Sequence, residues 1–161
     1  PPIVISLTPT DDSYVTKRKP QTNYGQESRL KVDGSPIETS YLKFNLPPSP
    51  SQYSFRSATL RLKVTGNSSI FSQSVRSVAD IFWTESTLKY ANRPTIGSLL
   101  ATIPPGPAES WKELDLTPYI STHLNQPASV AIDSQNLDGV DFYSQESGPN
   151  SPALILNFAP R

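Results

Sequence analysis

Five cations recur at alternate positions of apolar segments: Arg29 and Lys31 around Leu30, Lys43 between Leu42 and Phe44, and Arg61 and Lys63 around Leu62. Side chains two residues apart share one face of an extended strand, so a core takes the apolar set and water takes the cations. If these strands are neighbours in one sheet, the five form a basic platform, with the Lys17-Arg18-Lys19 run as its rim. Such a row meets carboxylates through charge-assisted hydrogen bonds, bidentate where Arg takes part. The same residues also describe an ordinary solvated face whose cations pair with nearby acids.

The total charge hides this pattern. The chain has 161 residues, with 14 basic and 14 acidic side chains. Residues 1–65 carry nine basic against five acidic groups, and residues 66–161 carry the reverse excess. Zero net charge argues against wholesale coating of nucleic acid. No apolar stretch approaches the roughly 18 residues of a membrane span.

Catalytic constellations are scarce. The chain has no Cys, which removes disulfides, thiol chemistry and Cys-ligated zinc. Its one histidine, His123, excludes chemistry that needs two imidazoles. His123 and Tyr119 have i, i+4 spacing on a short predicted helix, and Glu85 with Glu146 would make a carboxylate pair only if the fold joins them. No G-x-S-x-G, H-E-x-x-H or phosphate-loop pattern occurs. The expectation is a protein that is not an enzyme and requires no cofactor. A structural Ca²⁺ is the one ion considered, with Asp12 and Asp138 as ligands drawn from the acidic positions Asp11, Asp12, Asp133, Asp138 and Asp141.

A two-residue period positions these groups. It predicts strands near Ile3–Thr8, Tyr14–Lys17, Arg29–Asp33, Tyr41–Leu46, Leu60–Thr65, Ile70–Val78, Trp111–Leu116, Ser129–Asp133, Val140–Gln145 and Ala153–Phe158. Turn clusters separate them, among them Pro47-Pro48-Ser49-Pro50 and Pro104-Pro105-Gly106-Pro107. Roughly nine to eleven short strands bounded in this way predict an all-β antiparallel sandwich. One short helical turn is predicted, with Thr117 as N-cap and Pro118 at the first position. The length fits one domain over residues 1–161, and the opening Pro points to an excised or processed chain.

Several strings in order resemble a known family. Asp12-Ser13-Tyr14-Val15 and Pro20-Gln21-Thr22-Asn23-Tyr24-Gly25 are followed by Leu30-Lys31-Val32-Asp33-Gly34, then Tyr41-Leu42-Lys43-Phe44-Asn45-Leu46. Trp83-Thr84-Glu85-Ser86, Asn92-Arg93-Pro94, Asp115-Leu116-Thr117-Pro118-Tyr119 and Phe142-Tyr143-Ser144-Gln145-Glu146 complete the set. Together they are similar to DNRLRE domains, which overlap carbohydrate-binding module family 96. Gln145 stands where many relatives carry Arg, and Arg93 where many carry Ala.

The resemblance implies a sandwich of jelly-roll type, appended to secreted polysaccharide-degrading enzymes or surface proteins, with alginate and related uronic-acid polymers as ligands. The expected role is a non-catalytic module that binds an acidic polysaccharide. Arg29, Lys31, Lys43, Arg61 and Lys63 would supply the charge, and Tyr24, Tyr41 and Tyr143 the surfaces on which sugar rings stack. Trp83 and Trp111 are expected in the core or at corners. The setting would be extracellular or the cell surface, with covalently linked neighbouring domains and no nucleic-acid or membrane partner. A structural or adhesion module is the alternative, and a small polysaccharide lyase is the weakest reading.

Overall fold

Alternation along the chain becomes alternation of burial. In the central strand of one sheet, Ala58, Leu60 and Leu62 are buried while Thr59, Arg61 and Lys63 are half-buried on the opposite side. The computed structural model describes residues 1–161. Its strands are β1 (Ile3–Leu7), β2 (Asp11–Thr16), β3 (Arg29–Gly34), β4 (Ile37–Asn45), β5 (Tyr53–Lys63) and β6 (Gln73–Val78), then β7 (Leu99–Ile103), β8 (Trp111–Asp115), β9 (Pro127–Asp133), β10 (Val140–Tyr143) and β11 (Ala153–Pro160). One helix, α1 (Thr117–Ser121), is joined by 3-10 turns at Tyr90–Asn92 and Gln145–Asn150.

Two antiparallel sheets form the sandwich. The four-stranded sheet has the order β1-β11-β5-β8; the seven-stranded sheet runs β10-β3-β4-β9-β6-β7, with β2 pairing β4. The chain changes sheets between β1 and β2, β4 and β5, β5 and β6, β7 and β8, β8 and β9, and β10 and β11, the crossing pattern of a jelly roll. Between the sheets lies a core of 22 buried residues that includes Leu30, Leu42, Phe44, Leu60, Leu62, Phe142 and Phe158. Each such side chain contributes roughly 1.5–3 kcal/mol through burial.

The outer face of the seven-stranded sheet is not open to water. Residues 79–98, which join β6 to β7, lie across it as a strap. Trp83 and Leu88 from the strap pack with Val15, Tyr41, Val78 and Ala131 into a second buried cluster. The Tyr41 hydroxyl donates to the Pro94 carbonyl at 2.9 Å, and the Trp83 indole N–H donates to Ser129 Oγ at 2.8 Å.

The strap in turn holds the β2–β3 loop, residues 17–28. Asn23 Nδ2 donates to the carbonyls of Glu85 and Leu88, both at 2.7 Å, while Asn23 Oδ1 accepts the Gly25 N–H. Gly25 is required by proximity, because a Cβ there would lie 2.0 Å from the Glu85 carbonyl oxygen.

Three local expectations are corrected. β7 is a strand that the two-residue period does not mark, because Leu-Leu-Ala-Thr-Ile lacks a clean alternation. Ile70 and Phe71 precede β6 as exposed loop residues. Thr117 opens α1 but does not cap it: its hydroxyl accepts the Ala58 N–H and donates to Asp115 Oδ1, tying α1 to β5.

Candidate functional site

The five cations do not share one sheet face. Arg29 and Lys31 stand on β3 and Lys43 on β4, whereas Arg61 and Lys63 stand on β5 in the other sheet. Lys43 is buried under the strap, where its ammonium donates to the carbonyls of Ile81 and Trp83 and pairs with Asp11 at 3.5 Å. Tyr41 is fully buried beside it. Their exposure on a wet face is therefore corrected: the strap covers the side of β4 that alternation assigns to solvent.

Arg29, Lys31 and Tyr24 do come together. Lys31 and Arg29 line an open cleft with Tyr14, Glu27 and Ser28. The cleft continues past Arg18, Lys19, Tyr24 and Glu38. A further hollow of about 460 Å³ opens between the 23–27 turn and Glu85-Ser86. Tyr14 and Tyr24 form the aromatic element, stacked at 4.4 Å between centroids and 16° between planes. The Lys31 ammonium lies 5.9 Å from the centre of the Tyr14 ring.

Electrostatics at the cleft are mixed but leave cations free. Arg29 meets Asp141 at 3.5 Å, yet Arg18, Lys19 and Lys31 have no carboxylate within 4.0 Å. Burial raises the Glu38 carboxyl above the usual carboxylate range, against the opposing effects of the Thr16 hydroxyl and Lys31. Burial likewise raises the Tyr14 phenol, which stays neutral against the Tyr24 ring at physiological pH.

A second group decorates the outer face of the four-stranded sheet. Arg61 and Lys63 face Glu113 and Trp111 across the β5–β8 ladder. The Arg61 guanidinium lies 4.3 Å from the centre of the Trp111 ring and 3.5 Å from Glu113. Lys63 stands near both Trp111 (5.8 Å) and Tyr143 (5.9 Å) and donates to Asn150 Oδ1. The Tyr143 hydroxyl donates to the Glu109 carboxylate at 2.7 Å, which holds its proton more tightly than usual.

The two aspartates considered as calcium ligands hold different loops. Asp12 Oδ2 accepts the Gln145 N–H at 2.8 Å, whereas Asp138 Oδ2 accepts the Ile70 N–H and the Asp138 backbone carbonyl accepts the Ser69 hydroxyl. No group of three or more carboxylates or imidazoles is assembled anywhere to hold a metal. Asp12 instead belongs to a buried polar junction in which Glu85 accepts from Asp12 N and from the Gln145 side-chain amide. Burial pushes the Asp12 carboxyl up to about 7; the Gln145 N–H opposes this, and the charges of Glu85, Glu146 and Asp11 add to it.

A family model matches residues 4–158, and its description is carbohydrate-binding module family 96. The chain belongs to carbohydrate-binding module family 96. A curated relative, a gellan lyase from Bacillus sp., is 29% identical over 169 residues. That match takes in 94% of this chain but only 7% of the relative, so the chain corresponds to a small part of that enzyme's length.

Within the module, the remaining candidates serve as structure. His123 Nδ1 lies 2.7 Å from the Tyr119 carbonyl, and the Tyr119 hydroxyl donates to the Ser129 carbonyl at 2.7 Å. Glu85 ties β2 to the Gln145 turn through the bonds above. Reasoning from sequence gave no binding role to Tyr14, buried yet lining the cleft, or to Trp111, half-exposed on the outer face of the four-stranded sheet. It also gave no role to Asn23, although the Thr22-Asn23-Tyr24-Gly25 string marks the turn it builds.

Proposed function

We propose that this module is a non-catalytic binder of an acidic, uronate-bearing polysaccharide such as alginate, and that the cleft of Arg18, Lys19, Tyr24, Arg29 and Lys31 is its primary site. The observation that carries this reading is Lys31, a strand-borne cation without an acidic partner, set over a stacked pair of tyrosines. A uronate residue offers both halves of the match: a carboxylate for the cation and an apolar C–H face for an aromatic ring. Arg29 on the same strand adds a planar donor fork at a fixed spacing. Rigid strands limit the ordering cost of binding.

The name of the gellan lyase relative supports a polysaccharide ligand and a larger parent enzyme to which this module would be covalently linked; both would act outside the cell. The module then holds that enzyme on its polymer. Affinity electrophoresis on alginate, polygalacturonate, gellan and a neutral glucan tests the reading. Retardation by acidic polymers, lost in Arg29→Ala/Lys31→Ala and weakened by salt beyond the Debye regime, is expected. Retention that is equal on the neutral glucan and indifferent to salt would overturn it.

A structural or adhesion role is the second reading. It is favoured by the pairing of Arg29, Lys43 and Arg61 with Asp141, Asp11 and Glu113. A folded module that no polysaccharide retards would point to that role.

A further inference from the structure

The cleft and the Trp111 group are joined through one ladder. Arg29 is the register partner of Tyr143, and Lys31 that of Asp141, in the β3–β10 pairing. Directly opposed residues of an antiparallel pair project to the same side, so Arg29, Lys31, Tyr143 and Asp141 share one side of this ladder. The Arg29–Asp141 contact and the influence of the Arg29 charge on the Tyr143 phenol both place them together. A bridge between Val64 and Phe142 sets the end of β5 against β10, which brings Lys63 over the Tyr143 ring.

Cations and aromatics therefore form one continuous track. From Tyr24 the sequence of neighbours runs through Tyr14 to Lys31 and then Arg29. It continues from Tyr143 to Lys63, Trp111 and Arg61. The path crosses β2, β3, β10, β5 and β8 at a steep angle to the strands. Three steps of roughly 4.8 Å from β3 to β8, with the 5.9 Å from Lys31 to the Tyr14 ring beyond them, make a span of about 20 Å. A sugar in an extended polymer advances by about one such step.

We propose that the acidic chain lies across the strands along this whole track, so that the module grips an internal stretch of roughly four to five uronate residues rather than one sugar. The inference rests on the acidic-polysaccharide reading above and adds its length, its direction and the part played by Trp111, Lys63 and Tyr143. The carboxylates meet Lys31, Arg29, Lys63 and Arg61 in turn, and ring faces lie against the aromatics between them. Such repetition makes affinity depend on how many subsites are filled together.

Titration calorimetry of the module with uronate oligomers from dimer to hexamer tests the track, with tryptophan emission followed in parallel. Trp83 on the strap is packed against the sheet at 7% exposure, so a ligand-dependent change in emission reports Trp111. Affinity is expected to rise about tenfold or more from dimer to pentamer and then level, since tenfold needs only ~1.4 kcal/mol of added contacts. The emission change should vanish in Trp111→Phe. Trp111→Ala and Lys63→Gln should each flatten the rise in affinity from dimer to pentamer. A flat series in the wild type, or no emission change at saturation with hexamer, overturns the track while the acidic reading stands. Failure to bind any acidic oligomer or polymer overturns both.

Discussion

The Lys43 ammonium sits 5.0 Å from the centre of the Trp83 ring, enclosed between the strap and β4. Three further contacts fix it there: the Asp11 carboxylate and the carbonyls of Ile81 and Trp83. This lysine closes the second core, so its loss acts on stability. Lys43→Ala leaves two carbonyls and a part-buried carboxylate unpaired. Breaking such a pair costs about 3 kcal/mol, a fall in Tm of roughly 6–12 °C for a domain of this size. Thermal unfolding should show that loss. Polysaccharide retardation measured well below the melt should stay at the wild-type level.

Asp12 gives the protein a distinctive pH profile. Its carboxyl is buried, with one oxygen lacking a hydrogen-bond partner, and its folded pKa of about 7 lies far above the unfolded value near 3.8. Between those two values the folded chain holds a proton that the unfolded chain has released, so this residue's contribution falls as pH rises from about 4 to 7 and then levels. Burial acts on Glu85 in the same direction. Asp12→Asn keeps an acceptor for the Gln145 N–H and removes the charge. The variant should melt above the wild type at pH 8, and the gap should close as pH falls to 4. A gap that is constant across this range would contradict the assignment.

Tyr24 and Tyr14 form one stack but differ in burial, so their variants should separate binding from folding. Tyr24 is half-exposed in the loop, and Tyr24→Ala should weaken retention on acidic polymer at a stability cost of about 1 kcal/mol or less. Tyr14 is 3% exposed on β2, and Tyr14→Ala should lower both binding and Tm. Denaturant melts run beside affinity electrophoresis make the comparison. Equal loss of stability in the two variants would refute the division.

How far the site was legible in the sequence follows from what alternation can express. A two-residue period separates the faces of a strand, and at Leu60, Leu62 and Val64 it identified core residues that the fold buries. It cannot say what covers the other face. Tyr41 and Lys43 have the alternation of wet residues, and only the strap from β6 to β7, distant in sequence, makes them core. Nor does alternation assign strands to sheets: Lys43 and Arg61 sit in similar local patterns yet lie in opposite layers. Trp111 was legible as an aromatic near cations only after pairing across β5 and β8 was known.

Gly25 links loop geometry to the cleft, and its substitution should be informative. A Cβ at this position meets the Glu85 carbonyl at 2.0 Å, and backbone on a strap anchored by Trp83 and Leu88 yields poorly. Gly25→Ala must then push the loop outward, lengthening the Asn23 bonds to Glu85 and Leu88 and unstacking Tyr24 from Tyr14. The overlap costs about 1–3 kcal/mol if the loop stays docked, so release of the loop is the cheaper response. Asn23→Ala reaches the same end by removing the tie itself. Both variants should show faster amide exchange over residues 20–28 and weaker retention on acidic polymer, with exchange across β5 and β11 unchanged. Protection of the loop at wild-type levels in both would mean that neither residue holds it in place.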